Sequence, residues 1–369
     1  MDPSRFARRG LPAALRRRRL VAATLAAPIL APSLLPRDAR AAAPQPMRTP
    51  LSRIAFGSCC DQGDDQRIWD AVHAWRPGLM VMAGDNVYGD VRSASMRELR
   101  AAYEAAGRNP GFARMMREVP ALATWDDHDY GRNDAGAEFP WKQASKDLFC
   151  DFWGVPADDP MRRREGIYRA MTFGPEGRRV QVILLDTRWF RSPLRRTDRR
   201  GAPGRERYLP DDDPSKTMLG EAQWEWLERQ LRRPAELRLV VSSIQVLAEG
   251  HGWERWGNLP RERDRLLRLV AATQAQGVVF ISGDRHLGAI YREEAGLPYP
   301  LHDVTSSGLT KAYRSDEPGP NRIGETLGEV NFGTVEIDWG AGRASFALRD
   351  VAGVERRRLD LALPALRAR

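Results

Sequence analysis

Apolar residues along this chain gather into short, nearly continuous runs separated by stretches with helical spacing. The runs at 79–83, 237–244 and 278–282 read as strands covered on both faces, because a strand with one wet face alternates polar and apolar residues. Further strands are expected over 53–59, 121–125, 167–173 and 180–185, and near 301–305, 332–338 and 345–349. Helices are expected over 65–75, 95–106, 111–118, 143–153, 220–231 and 261–274. In 220–231, Trp224, Leu227 and Leu231 recur at the spacing of one helical face. The order strand, helix, strand over 53–83 is a crossover unit, and no repeat or domain boundary interrupts the chain beyond it. The pattern predicts one α/β domain. Segment 191–218 is rich in Arg, Asp, Pro and Gly without apolar period, which predicts a long surface loop of the kind that often carries function.

The N-terminal residues have a different pattern. Arginines 16–19 precede an apolar stretch, 20–35, broken by Pro28 and Pro32, and Ala39-Arg40-Ala41 comes next. This reads as an export signal over 1–43 with an A-x-A cleavage site, since the apolar stretch is short for a membrane span. The tandem arginines resemble a twin-arginine signal lacking its usual hydroxyl residue, a route that carries folded proteins. A linker, 44–50, and a single folded domain, 51–369, would then reach the periplasm or the medium. Of the formal charge of +9, residues 1–41 supply +7, from nine Arg against Asp2 and Asp38, so no nucleic-acid partner is inferred. Three cysteines are few for an exported disulfide scaffold; one bridge to Cys150 or none is expected, and Cys59 is a candidate thiolate ligand.

The candidate chemistry sits where strands end, the place at which an open α/β sheet gathers its ligands. Asp85 follows Gly84 in Gly84-Asp85-Asn86-Val87-Tyr88, and a carboxylate there can bridge two cations. Trp125-Asp126-Asp127-His128-Asp129-Tyr130-Gly131-Arg132-Asn133-Asp134 packs four acids, a His and an Asn into ten positions, a density that cations or Arg must offset. His128 could ligate or act as general acid beside Asp127, and Asn133 could offer its amide oxygen. In Ser282-Gly283-Asp284-Arg285-His286, extended backbone would turn Asp284 and His286 to one side and Arg285 to the other. Arg285 and His251 are the candidates for substrate contact. Oxygen, imidazole and thiolate donors suit hard and borderline cations.

Phe56-Gly57-Ser58-Cys59 and these three motifs together resemble the PhoD-like alkaline phosphatase/phosphodiesterase family of the calcineurin-like metallophosphoesterases, over roughly residues 53–290. The resemblance implies a two-sheet α-β-β-α sandwich, twin-arginine export, and Fe3+ with Ca2+, other divalent metals being possible. It makes Cys59 a ligand of iron, Asp85 the bridging carboxylate, Tyr103 the tyrosinate and Asn133 a calcium ligand, with Asp284 and His286 completing the cluster. Tyr88 is the other phenol nearby. The β-sandwich domain that often precedes the family's catalytic domain is not expected here. The function implied is hydrolysis of phosphate mono- or diesters by a metal-bound hydroxide. A non-catalytic metal- or phosphate-binding envelope protein is the alternative, and a serine esterase using Ser58 a lesser one.

Overall fold

The computed structural model describes residues 49–315 and 317–367, so the export signal and nearly all of the linker lie outside the described residues. The chain builds β1 (Arg53–Gly57), α1 (Ile68–Trp75), β2 (Leu79–Ala83), α2 (Arg97–Arg108), α3 (Pro110–Glu118) and β3 (Ala121–Thr124). A single turn, α4 (Asp127–Tyr130), leads to α5 (Lys142–Phe152), the hairpin β4 (Arg169–Phe173) and β5 (Val180–Leu184), then α6 (Gly220–Leu231), β6 (Leu237–Ser242), α7 (Pro260–Ala272) and β7 (Val278–Ser282). The remaining strands are β8 (Gly288–Glu293), β9 (Leu301–Ser306), β10 (Asn331–Asp338), β11 (Arg343–Asp350) and β12 (Glu355–Ala362).

These strands form two six-stranded mixed sheets, ordered β12-β11-β10-β1-β2-β3 and β4-β5-β6-β7-β9-β8. Within the first, β1, β2 and β3 are parallel and β10 joins antiparallel. Within the second, β5, β6, β7 and β9 are parallel, with β4 and β8 as antiparallel edges. The two-residue period of the strands explains the layering. Ile54, Phe56, Leu79 and Val81 pack in the core shared with the second sheet, whereas Ala55, Met80 and Met82 face a second cluster under α1, α2, α3 and α5. The second sheet is covered by Trp224, Leu227 and Leu231 of α6 and Leu266 and Val270 of α7. Each such buried side chain contributes roughly 1.5–3 kcal/mol. The fold is therefore the expected α-β-β-α sandwich.

The differences are local. The first helix starts at Ile68 rather than 65, because 61–67 is held in turns by Asp61, Asp65 and Gln66. Strands β8 and β12 are unanticipated; β12 alternates charged residues with half-buried ones at a sheet edge, so its apolar signal is weak. All three cysteines are free and buried, so no bridge to Cys150 forms. Segment 191–218 has no helix or strand, yet Arg191 and Met218 are buried and its backbone is tied to Gly252 through Arg207 and Tyr208. No helix of the described residues is long and apolar enough to cross a membrane.

Candidate functional site

Four strands from both sheets deliver the site. After β1, Ser58 N–H donates to Ser306 O (3.0 Å) at the end of β9, which joins the two sheets here. After β2, Gly84 has φ 104°, and a Cβ there would lie 2.7 Å from the Asp126 Cβ and 2.9 Å from that of Ser243. Only glycine fits that turn. After β3, Asp126 and Asp129 form a capping box around α4, which places Asp127 and His128 in its first turn. After β7, Gly283 packs against Ser58, and a side chain there would overlap its hydroxyl. Cys59, Asp85, Asp134, Asp284 and His286 all have φ between 48° and 70°, five of the eight non-glycine residues in that region among those described. Left-handed backbone costs energy outside glycine, and its concentration here marks a site the surrounding structure enforces.

Asp85 is central. Its Oδ2 accepts from the Tyr88 hydroxyl (3.2 Å) and lies 3.6 Å from the Cys59 Sγ, while Oδ1 accepts from the His128 backbone N–H (3.2 Å). Donor atoms of Cys59, Asp85 and His286 lie within 4.8 Å of one another, as do those of Asp85, Asp127 and His128, of Asp126, Asp127 and Asp284, and of Asp127, Asp134 and Glu254. Asp85 thus belongs to two adjoining groups and Asp127 to three. Burial, then Asp127, pushes the Asp85 carboxyl well up; burial, then Asp126, does the same to Asp284. Burial and Asp85 raise the Cys59 thiol. Buried Asp127 Oδ1 and Asp126 Oδ2 have no hydrogen-bond partner. Unpartnered oxygens among converging acids are the donor set a cation satisfies, so these residues fit a metal cluster.

The flanking groups set protonation. The His286 Nδ1 lies 2.8 Å from Lys311 O, so an Nδ1–H donor leaves Nε2 free as a ligand. Burial holds His286 down to about 4, neutral as a ligand must be. His128 behaves oppositely: burial disfavours its charge, but Asp127, Asp85 and Asp90 raise it to about 11. Asp90 Oδ1 sits 3.0 Å from its Nδ1, and the imidazole stacks on Tyr88 at 4.3 Å. Asp129 faces away, accepting from the backbone N–H groups of Asp85, Asn86 and Asp126 and from the Asn86 amide. These groups floor a cavity of about 410 Å³ whose wall includes Tyr88, His128, Arg207, Trp253, Arg285 and Lys311.

The sequence-predicted residues divide. Cys59, Asp85, Asp127, His128, Asp284 and His286 converge, and exposed Asn133 stands on the cavity wall. Tyr103 does not join them: α2 buries it against Phe152, ring centroids 4.5 Å apart, whereas the Tyr88 hydroxyl lies 3.2 Å from Asp85 Oδ2. Arg285 does not turn away, because Asp284 and His286 are left-handed rather than extended; all three line the cavity, with Arg285 paired to Glu317. His251 is committed elsewhere, bonded to Gln245 Oε1 (3.0 Å) and accepting from Trp253 N–H (3.2 Å). Ser58 Oγ is partnered by Ser306 O and Cys59 Sγ rather than by an imidazole. The unanticipated members are Asp134 and Glu254. Glu254 is clamped by fully buried Arg188, 2.7 and 2.9 Å away, and by Arg191 at 2.9 Å. Nothing in the local sequence around Glu254 signals it.

A family model described as PhoD-like phosphatase matches residues 55–309. Alkaline phosphatase D of Bacillus subtilis (strain 168) is 24% identical over 240 residues, covering 59% of this chain and 40% of that protein. The chain thus spans 40% of the length of that curated relative. A solved structure described as that of PhoD superposes with a TM-score of 0.67 at 16% identity, covering 87% of this chain and 70% of the other. GAP50, described as the anchor in the inner membrane complex of Plasmodium, superposes at 0.55 with 15% identity, covering 85% and 89%. At these identities the structural likeness speaks for the fold alone.

Proposed function

The chain belongs to the PhoD-like phosphatase family, and from that premise we propose that it is an exported, metal-dependent hydrolase of phosphate mono- or diesters. The observation that supports this most is the pair Asp85 and Asp127, shared among adjoining ligand groups beneath a cavity walled by Arg207, Arg285 and Lys311. Cys59, Tyr88, Asp85 and His286 would hold one cation, and Asp85, Asp127, Asp284 and Asn133 a second; ferric iron with calcium is the pair the family resemblance implies. Such cations neutralise non-bridging phosphate oxygens and acidify water.

The protein's own groups do the rest. Arg285 and Lys311 offer N–H donors that orient the anionic ester, and Trp253, beneath the Arg285 guanidinium at 4.8 Å, keeps that side chain in place. His128, its Nδ1 held 3.0 Å from Asp90 Oδ1, is the group placed to protonate a departing alkoxide. No protein nucleophile is required. A second reading is a non-catalytic metal- or phosphate-binding envelope protein, in which the same ligand groups would hold cations without turnover.

Purified mature protein assayed for metal content and for p-nitrophenyl phosphate and bis(p-nitrophenyl) phosphate hydrolysis separates the readings. Bound metal with chelator-sensitive turnover supports the hydrolase. Metal without turnover would point to the binding protein, and chelator-resistant turnover blocked by serine-directed reagents to the esterase. Export is tested by cell fractionation, with Arg18→Lys/Arg19→Lys expected to retain the protein in the cytoplasm.

A further inference from the structure

Beside the cavity already described lies a larger one, about 650 Å³, lined by Arg132, Arg196, Arg200 and Arg207 with Glu138 and Asp134 among the remaining wall. The two cavities share Asn133, Asp134 and Arg207, so they form one continuous surface. Four arginines against two carboxylates leave an excess of positive charge. The carboxylates are already taken: Glu138 pairs with Arg132 (3.3 Å) and Asp134 with Arg207 (2.6 Å). Arg196 and Arg200 have no carboxylate partner among the described residues. Their backbone is nonetheless fixed. Arg196 pairs with Tyr208 in an isolated antiparallel bridge, Thr197 and Gly201 donate to Arg207 O and Glu206 O, and buried Arg191 anchors the segment to Asp134 O at 2.7 Å.

From this geometry we infer that Arg196 and Arg200 form a second anion subsite, which selects phosphate esters carrying a further phosphate on the alcohol side. The inference rests on the phosphohydrolase reading and names its substrate class. A phosphoryl group over the acidic cluster would leave its alcohol pointing along the shared wall, where two guanidinium groups without carboxylate partners give a second phosphate charge-assisted hydrogen bonds. Such a subsite gives a preference that weakens with added salt, because both arginines are exposed.

The test compares propyl phosphate with α,ω-alkanediol bisphosphates of increasing length, on metal-loaded wild type and on Arg196→Ala/Arg200→Ala. Wild type is expected to favour the best-fitting bisphosphate by about tenfold or more in kcat/KM, chiefly through KM. The double variant should lose that preference while hydrolysing propyl phosphate as wild type does. Equal kcat/KM for both substrates in wild type, or a preference that survives the double substitution, would overturn the subsite. Calorimetric binding of the same compounds keeps the two proposals apart. Bisphosphate preference in binding without hydrolysis of either ester would sink the phosphatase reading and leave the subsite standing, whereas hydrolysis without preference does the reverse.

Discussion

Asp85 is the residue whose loss separates metal binding from everything else, because it belongs to two adjoining ligand groups, one with Cys59 and His286 and one with Asp127 and His128. Asp85→Asn keeps the volume and removes the charge, so metal content and ester turnover should both disappear while the far-ultraviolet spectrum is unchanged; full activity in this variant would refute the site. The two phenols make a sharper pair. Tyr88→Phe removes a hydroxyl 3.2 Å from Asp85 and should lower metal affinity or turnover about 10–100-fold. Tyr103→Phe deletes a buried hydroxyl that has no partner, and should leave turnover intact and stability equal or higher. The sequence made Cys59, Asp85, Asp284 and His286 readable because each comes after an apolar run with glycine or serine at its end. It did not separate Tyr88 from Tyr103, since that choice depends on the left-handed turn at Asp85 that brings position 88 back over the carboxylate. Arg191, the first residue of the expected surface loop, and Arg188 just before it are buried counterions of Glu254 and Asp126, a pairing between residues more than 60 positions apart.

Elements buried on both faces were legible, and those at the margins were not. Strand β7 ends where its apolar run ends, and α6 spans its amphipathic stripe. The edge strand β12 was missed because a strand with one covered face carries half the apolar signal, and β8 because its buried stretch, Gly288–Tyr291, is only four residues long and opens on glycine. Two glycines show how differently a strand interior and a strand end respond to substitution. Gly333 of β10 lies opposite Phe56 of β1, and a Cβ would overlap the Phe56 ring. Gly333→Ala should cost about 1–3 kcal/mol in denaturant unfolding while leaving activity per folded molecule within about twofold, since β10 carries no site residue. Gly84→Ala forces an alanine into φ 104° against Asp126 and Ser243, and should reduce turnover of the folded fraction as well as its amount. Activity loss strictly proportional to unfolding in both variants would show that the β2 turn does not position the site.

At the scale of the molecule, the first sheet supplies Cys59, Asp85 and Asp127 and the second supplies Asp284 and His286, so cations held there would bind across the layers and not within one. Binding to the folded state alone raises stability with ligand concentration, and the same acids make the metal-free protein sensitive to pH. Burial and neighbouring carboxylates raise Asp85 and Asp284, and Asp127 and Asp85 raise His128 against its burial. A group raised in the folded state binds its proton more tightly there than when unfolded, so its stabilisation is complete below its unfolded value and is lost as pH rises through its folded one. His286 and His302, held near 4 by burial, act only below the unfolded histidine value, ~6.5. Between about pH 6.5 and 8.5 the raised groups therefore dominate, and the melting temperature of the chelated protein should fall as pH rises. Cations replace those protons, so the metal-loaded protein should change far less and the gap between the two forms should widen with pH. Parallel melting curves for chelated and metal-loaded protein across that range, by calorimetry, would mean that the acidic cluster does not hold cations between the sheets.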